Sequence, residues 1–104
     1  EESLLKYGDH LQSTVLKVAH HGSKTSSSPK FLLKVRAEGA VISTSKDNKH
    51  GHPDRIVMKR LKHVMKPCWI CVTGKCGAIT IRSNGTHYDL AGNGKKLIGW
   101  KPIR

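Results

Sequence analysis

The chain has 104 residues, and its 19 lysines and arginines against 7 acidic residues give a formal charge of +12 with histidine neutral. This length predicts one small domain, and no stretch approaches the roughly 20 apolar residues that a membrane-spanning helix needs. The chain opens with two glutamates, without a start methionine or a basic signal region, so we expect a piece of a longer protein. The charge indicates either a polyanionic partner or a balance with the remainder of that protein.

Hydrophobic periodicity and turn residues divide the chain into alternating strands and helices. The predicted elements are a buried strand over 14–19, a helix over 29–37, a strand over 40–43, a helix from Pro53 to Pro67, and strand-like runs at 69–73, 77–82 and 86–90. Residues 91–104 are rich in glycine and lysine, and we expect them to be a loosely ordered tail of the single domain 1–104. The alternation predicts an α/β fold, a parallel sheet covered by helices, followed by a short β-meander.

Both helices carry start signals. Ser28 is the expected N-cap before Pro29, and Pro53 is expected at the first position of the second helix, with the Asp54 carboxylate near its positive end. Gly39 is expected to end the first helix in the left-handed conformation.

Two predicted loops, 20–28 and 44–52, follow parallel strands. Such loops gather at one edge of the sheet, where α/β proteins place their ligands. Neutral imidazole suits zinc, manganese or iron, and histidine also transfers protons near neutral pH, so a site is predicted at this edge. The loops contain four of the seven histidines, namely His20, His21, His50 and His52.

The adjacent histidines leave two interpretations open. Successive side chains at the end of a strand point in opposite directions, so at most one of His20 and His21 is expected to bind a given metal. The other would contact a phosphate or support the ligand. The alternative is an ordinary polar turn. Likewise, the hydroxyls and the lysine that follow, with the backbone donors of the next helix, suit an oxyanion but also suit simple capping.

Three cysteines form a second candidate metal site. The spacing of Cys68, Cys71 and Cys76 matches the first two intervals of a zinc knuckle, but the fourth ligand position falls on Ile81, which cannot bind zinc. Cys68 and Cys71 are also expected to face opposite sides of a strand. We therefore expect buried thiols, and a small zinc-knuckle adaptor is the alternative.

Three segments together resemble one known pattern. Residues 15–28 (with His-His-Gly-Ser), 41–43 and 48–53 (with Gly-His-Pro) are similar to the C-terminal part of the metallo-β-lactamase-fold domain of ComEC-type competence proteins and their free-standing relatives. The resemblance implies the C-terminal half of a four-layer αβ/βα sandwich with two divalent metal ions, zinc or manganese, at its edge. It also implies metal-dependent hydrolysis of phosphodiesters, above all of DNA during uptake.

The resemblance also implies roles for individual residues. His20 or His21 would be a metal ligand. His52 and Lys24 would be catalytic, with His52 serving the leaving group and Lys24 holding the phosphodiester. The residues that would bind substrate are Ser23, Thr25, Ser26, Lys46 and Asn48.

One departure limits this resemblance. The main ligand motif of the family, His-x-His-x-Asp-His, has no counterpart in the sequence. The chain alone is therefore not expected to complete the metal centre or to be active. The expected partners are a nucleic acid or other phosphodiester, the N-terminal half of the domain, and a membrane channel domain of the same parent. A ComEC-type parent would be membrane-associated with this domain outside the cytoplasm, another relative would be cytoplasmic, and the chain itself is expected to be soluble.

A non-catalytic function is the alternative. The positive charge alone would suit a basic module that binds nucleic acid without reading its sequence. Such a module would bind with a steep dependence on salt, and neither a chelator nor replacement of the histidines would change its affinity.

Overall fold

The computed structural model describes residues 1–45 and 51–103, and within them two three-stranded sheets lie against each other. The first sheet is parallel and consists, in spatial order, of β1 (Val15–Lys17), β2 (Gly39–Ile42) and β3 (Ile70–Val72). The second is antiparallel and consists of β4 (Ile79–Ser83), β5 (His87–Gly92) and β6 (Lys95–Pro102). The parallel pairing confirms the sheet predicted from the order of strands and helices, and the second sheet is the predicted meander.

Helices connect and flank the strands of the parallel sheet. The helices are α1 (Glu2–Leu5), α2 (Pro29–Val35), α3 (Arg55–Val64) and α4 (Thr73–Cys76), and short 3-10 turns occur at Gly8–Leu11, Ala19–Gly22 and Pro67–Trp69. In the part of the chain that the structure describes, no helix combines the length and the apolar character needed to cross a membrane.

The parallel sheet is covered on both faces because its side chains alternate. Ala40 and Ile42 of β2 pack with buried residues of α2 and α3, whereas the intervening Val41 faces the antiparallel sheet. The layers are therefore helices, parallel sheet and antiparallel sheet. The buried residues between the first two layers are Val18, Leu32, Ala40, Ile42, Val57, Leu61 and Val72, and those between the two sheets are Cys71, Tyr88, Leu90 and Ile98.

The first of the two long helices ends differently from the prediction. α2 stops at Val35, and Arg36 takes the left-handed cap conformation with φ of 48°. Gly39 instead begins β2, where a Cβ would lie 3.0 Å from the Trp69 carbonyl oxygen and 3.3 Å from Ile98 Cδ1. The glycine is therefore explained by close packing between the two sheets and not by a helix end.

The second long helix begins two residues later than predicted, at Arg55. Asp54 is its N-cap, and the Asp54 carboxylate accepts a hydrogen bond of 2.8 Å from the Ile56 amide. Pro53 precedes the helix and does not occupy its first position. Val57 and Leu61, four residues apart on one face of α3, are fully buried.

The prediction of a loosely ordered tail over 91–104 is wrong. β6 occupies most of this segment and pairs with β5, and Ile98 is buried between the sheets. Asn93 and Gly94 form the intervening turn with φ of 51° and 82°. An Asn-Gly pair between two strands is the sequence signal of such a hairpin, which the lysine-rich composition concealed.

Candidate functional site

The first candidate loop begins with strained backbone. His20 and His21 both adopt left-handed conformations, with φ of 52° and 55°, and Gly22 follows with φ of 82°. A left-handed non-glycine residue costs about 1–3 kcal/mol and persists only where its surroundings hold it in place. The chain thus turns sharply after β1 and presents two exposed imidazoles at the edge of the parallel sheet.

The two imidazoles bind to different segments. His21 Nδ1 lies 2.7 Å from the carbonyl oxygen of Ser43, just after β2. A carbonyl only accepts hydrogen bonds, so Nδ1 carries a proton and the Nε2 lone pair of the neutral ring remains available. His20 Nδ1 instead lies 2.6 Å from the hydroxyl of Ser26 in its own loop. The rings therefore diverge, and the cause is the left-handed backbone and not the alternation of a strand.

The first histidine loop contacts the residues that directly follow the second one, Pro53 and Asp54. The Asp54 amide donates a 2.9 Å hydrogen bond to the Gly22 carbonyl oxygen. A Cβ on Gly22 would lie 2.6 Å from Pro53 Cβ and 2.9 Å from Pro53 Cα, so only glycine fits this contact. His52, which is half-buried, immediately precedes Pro53. His20, His21, Gly22, His52 and Pro53 together are called the histidine edge below.

A third segment, which the sequence analysis missed, reaches the same side of the sheet. Thr73 Oγ1 accepts a 2.9 Å hydrogen bond from the Thr44 amide and donates one of 2.9 Å to the Thr44 carbonyl oxygen. A Cβ on Gly74 would lie only 2.7 Å from Thr44 Oγ1. The signal was present, because β3 is parallel to its neighbours and its C-terminal end must reach the same edge.

The segment after the histidine pair folds as a turn that its own hydroxyls hold together. The hydroxyls of Ser23 and Thr25 lie 2.9 Å apart, and the Thr25 and Lys24 side chains are exposed. Ser26 and Ser27 are buried. Ser26 was predicted to line a substrate groove, but its hydroxyl instead contacts His20.

The backbone donors predicted for an oxyanion already have partners. The carboxylate of Glu1 accepts from the amides of Ser27 and Ser28, the latter at 3.1 Å. The Ser28 hydroxyl caps α2 by accepting from the Phe31 amide at 3.2 Å. The start of α2 therefore supports capping and not an anion site. The carboxylate that accepts from these amides belongs to Glu1, which is too far away in sequence for local spacing to identify.

The predicted site residues Lys46 and Asn48, and also His50, lie outside the described residues. Within 1–45 and 51–103, no group of three or more histidine, cysteine or acidic side chains is placed to hold a metal ion. At the histidine edge, the His21 ring contacts Ser43 through Nδ1 and the His20 ring contacts Ser26 through Nδ1, so neither of these contacts uses Nε2.

The cysteines do not share one environment. Cys68 is exposed in a 3-10 turn, which corrects the prediction that all three thiols are buried, whereas Cys71 is buried in β3. Burial, with a smaller effect of the neighbouring Cys76 thiol, raises the pKa of Cys71 to about 11. Cys71 is therefore a protonated thiol of the core at neutral pH.

Comparisons with known proteins give partial matches. No family model and no solved structure matches the chain. Over 63 residues, 60% of the chain, it is 49% identical to competence protein ComA of Neisseria gonorrhoeae, and over 62 residues it is 34% identical to ComE operon protein 3 of Bacillus subtilis. Over 47 residues, 45% of the chain, it is 49% identical to Recombination protein 2 of Haemophilus influenzae.

These matches cover 9%, 8% and 6% of the three relatives, so the chain spans less than a tenth of the length of each. The similarities support a competence-related protein.

Proposed function

We propose that this chain is the C-terminal half of a metal-dependent phosphodiester hydrolase with a metallo-β-lactamase-type αβ/βα fold, and that the complete protein cuts DNA during uptake. The observation that carries this proposal is the contact between the first histidine loop and the residues directly after the second, where Gly22 packs on Pro53 and accepts from Asp54. The competence names of two relatives support DNA uptake as the setting.

His21 is the better candidate ligand of the two adjacent histidines. Its Nδ1 is held by the Ser43 carbonyl, a contact that typically orients a metal-binding imidazole and leaves Nε2 for the ion. His20, bonded to Ser26, would support the loop. The remaining ligands would come from the other half of the domain. Bound zinc or manganese would supply an activated water and neutralise phosphate charge.

The remaining groups at the edge would act on the phosphodiester itself. His52 would give a proton to the leaving oxygen or orient it, since its loop is fixed beside Gly22. Lys24 and Thr25, both exposed, would hold phosphate oxygens. Ser23 would orient Thr25 through their hydroxyl contact, and Lys46 and Asn48 are proposed to complete the groove. A formal charge of +12 favours a polyanionic substrate over a β-lactam.

The test is hydrolysis of labelled DNA by the complete protein that contains this chain. We expect hydrolysis with manganese or zinc, none with a chelator, and at least a hundredfold lower rate for His21→Ala. His10→Ala is the matched control, because His10 is exposed in the turn Gly8–Leu11 and belongs to neither histidine loop. Metal-independent cleavage, or equal rates for the two variants, would contradict the proposal.

A non-catalytic basic module is the second candidate. It is favoured by the excess of 19 basic over 7 acidic residues. In that case the complete protein binds DNA with the same affinity in chelator, and His21→Ala and His52→Ala leave this affinity unchanged.

A further inference from the structure

A cleft of about 620 Å³ lies between α3 and the segment that follows β3. Pro53 of the histidine edge is part of its lining. Since Pro53 also packs on Gly22, the cleft adjoins the histidine edge and does not belong to a separate face of the molecule.

Among the described residues, every charged side chain that lines this cleft is cationic. Three of them, Arg55, Lys59 and Lys62, occupy positions i, i+4 and i+7 of α3, which places them along one side of the helix over about 10 Å at 1.5 Å per residue. Lys75 of α4 is the fourth. The ion pairs formed within the described parts of the chain all use other cations. The cleft therefore carries a row of positive charge that suits successive phosphates.

Apolar side chains make up much of the remaining lining. Ile56 is 48% exposed, and the partly buried Met58 and the buried Val72 also line the cleft. A single nucleic acid strand offers both phosphates and exposed base faces, so it can place its phosphates against the cations and its bases against the apolar side chains. A duplex keeps its base faces stacked inside and offers mainly phosphates. The mixed lining therefore favours a single strand.

We propose that this cleft binds a single strand of DNA that continues from the histidine edge, and that it gives the protein a preference for single-stranded over double-stranded DNA. The choice of DNA rests on the proposed function. The binding itself needs neither metal nor hydrolysis, so the two proposals can fail separately.

The test uses fluorescence anisotropy of the 104-residue chain with a labelled thymidine 20-mer and with a 20-base-pair duplex, both in chelator. We expect Lys59→Gln/Lys62→Gln to weaken single-strand binding at least tenfold. The slope of log affinity against log salt should fall by about 1.4, since each phosphate contact of a single strand contributes about 0.7. The matched control is Lys30→Gln/Lys34→Gln, which removes the same charge from exposed positions of α2 outside the cleft and should weaken binding less than threefold.

A third variant tests the apolar part of the lining. Ile56→Asn removes an apolar contact for the bases, so we expect it to weaken binding of the single strand severalfold. Because it leaves the charge unchanged, the salt slope and the affinity for the duplex should stay the same. Thermal melting followed by circular dichroism checks that each variant is folded. The substituted side chains are all exposed, so folding is expected to persist.

Two results would overturn the inference. Equal losses for the two lysine pairs would show binding through diffuse charge, and wild-type affinity for the duplex equal to or above that for the single strand would remove the preference. If the cleft variants behave as expected while the complete protein fails to hydrolyse DNA, the proposed function fails and the binding site stands. If DNA is hydrolysed but the lysine pairs bind alike, only the binding site fails.

Discussion

Polar groups occur both at the histidine edge and between the two sheets, where Glu38, Tyr88 and Lys101 form a cluster called the sheet junction below, but their surroundings differ. At the sheet junction, the buried Glu38 carboxylate accepts from Lys101 Nζ and, at 3.3 Å, from the Tyr88 hydroxyl. At the edge, His20 and His21 are exposed, lie on strained backbone, and each uses one ring nitrogen for a loop contact. The sheet junction therefore uses its polar groups to hold the layers together, whereas the edge leaves ring atoms available to a ligand.

The largest expected effect comes from the contact that joins the histidine loops. Gly22→Ala adds a Cβ 2.6 Å from Pro53 Cβ at a residue with φ of 82°. We expect a loss of about 3 kcal/mol in the free energy of unfolding, because left-handed strain and overpacking add together. Denaturant unfolding measures this loss.

The control for this substitution is Gly99→Ala, where an added Cβ meets nothing within 4 Å. Equal losses for the two alanine variants would show that the two loops are not held together by this contact.

The second-largest expected effect tests the sheet junction between Glu38 and Lys101. Glu38→Gln removes the charge that pairs with Lys101, so we expect a loss of about 2 kcal/mol in unfolding free energy, in the range of a hydrogen bond to a charged group. Lys24→Gln, in the turn that follows the histidine pair, removes an exposed charge and should change stability by less than about 0.5 kcal/mol. A larger loss for Lys24→Gln than for Glu38→Gln would reverse the proposed division of roles.

A third polar pair, on the antiparallel sheet, predicts a dependence on pH. Arg82 donates to both carboxylate oxygens of Asp89, at 3.1 and 2.5 Å, and these hydrogen bonds lower the pKa of Asp89. A lowered pKa in the folded state stabilises the fold above the unfolded value of about 3.9, and this stabilisation disappears as pH falls through the folded pKa.

The advantage of the wild type over Arg82→Gln should therefore be full at neutral pH and shrink in acid. Urea unfolding at a series of pH values measures it, and an advantage that grows as the pH falls would contradict the assignment.

The smallest effect is chemical and leaves the fold intact. Cys68 is exposed, whereas Cys71 is 1% exposed and has its pKa raised to about 11 by burial. Iodoacetamide at pH 8 should therefore alkylate Cys68 readily and Cys71 only after unfolding. Peptide mass spectrometry measures both rates, and rapid labelling of folded Cys71 would show that β3 is not covered by the second sheet.

The sequence predicted the parallel sheet because its strands and helices alternate with clear hydrophobic patterns. It also placed both histidine loops at one edge, since that follows from parallel strands alone. Among the described residues, the contact of Gly22 with Pro53 agrees with this expectation. Patterns that depend on local order were therefore sufficient for the fold of the first half and for the neighbourhood of the site.

The remaining features depend on distant partners. Glu1 occupies the donors of Ser27 and Ser28, and Thr73 holds Thr44, through contacts between residues far apart in sequence. The sequence analysis did not predict β6, because its lysines interrupt the alternation of apolar and polar residues. The Asn93-Gly94 pair did indicate a hairpin turn before it. Local sequence spacing could not predict these contacts, because their partners come together only when the sheets are folded.

The most direct test of the account measures the metal content of the complete protein after dialysis, for the wild type and for His21→Ala. We predict retained zinc or manganese in the wild type and at least a tenfold weaker hold in the variant, because His21 Nε2 is the proposed ligand of this half. His10→Ala should retain the wild-type content. Equal metal retention by wild type and His21→Ala would contradict the central claim that the histidine edge binds the metal.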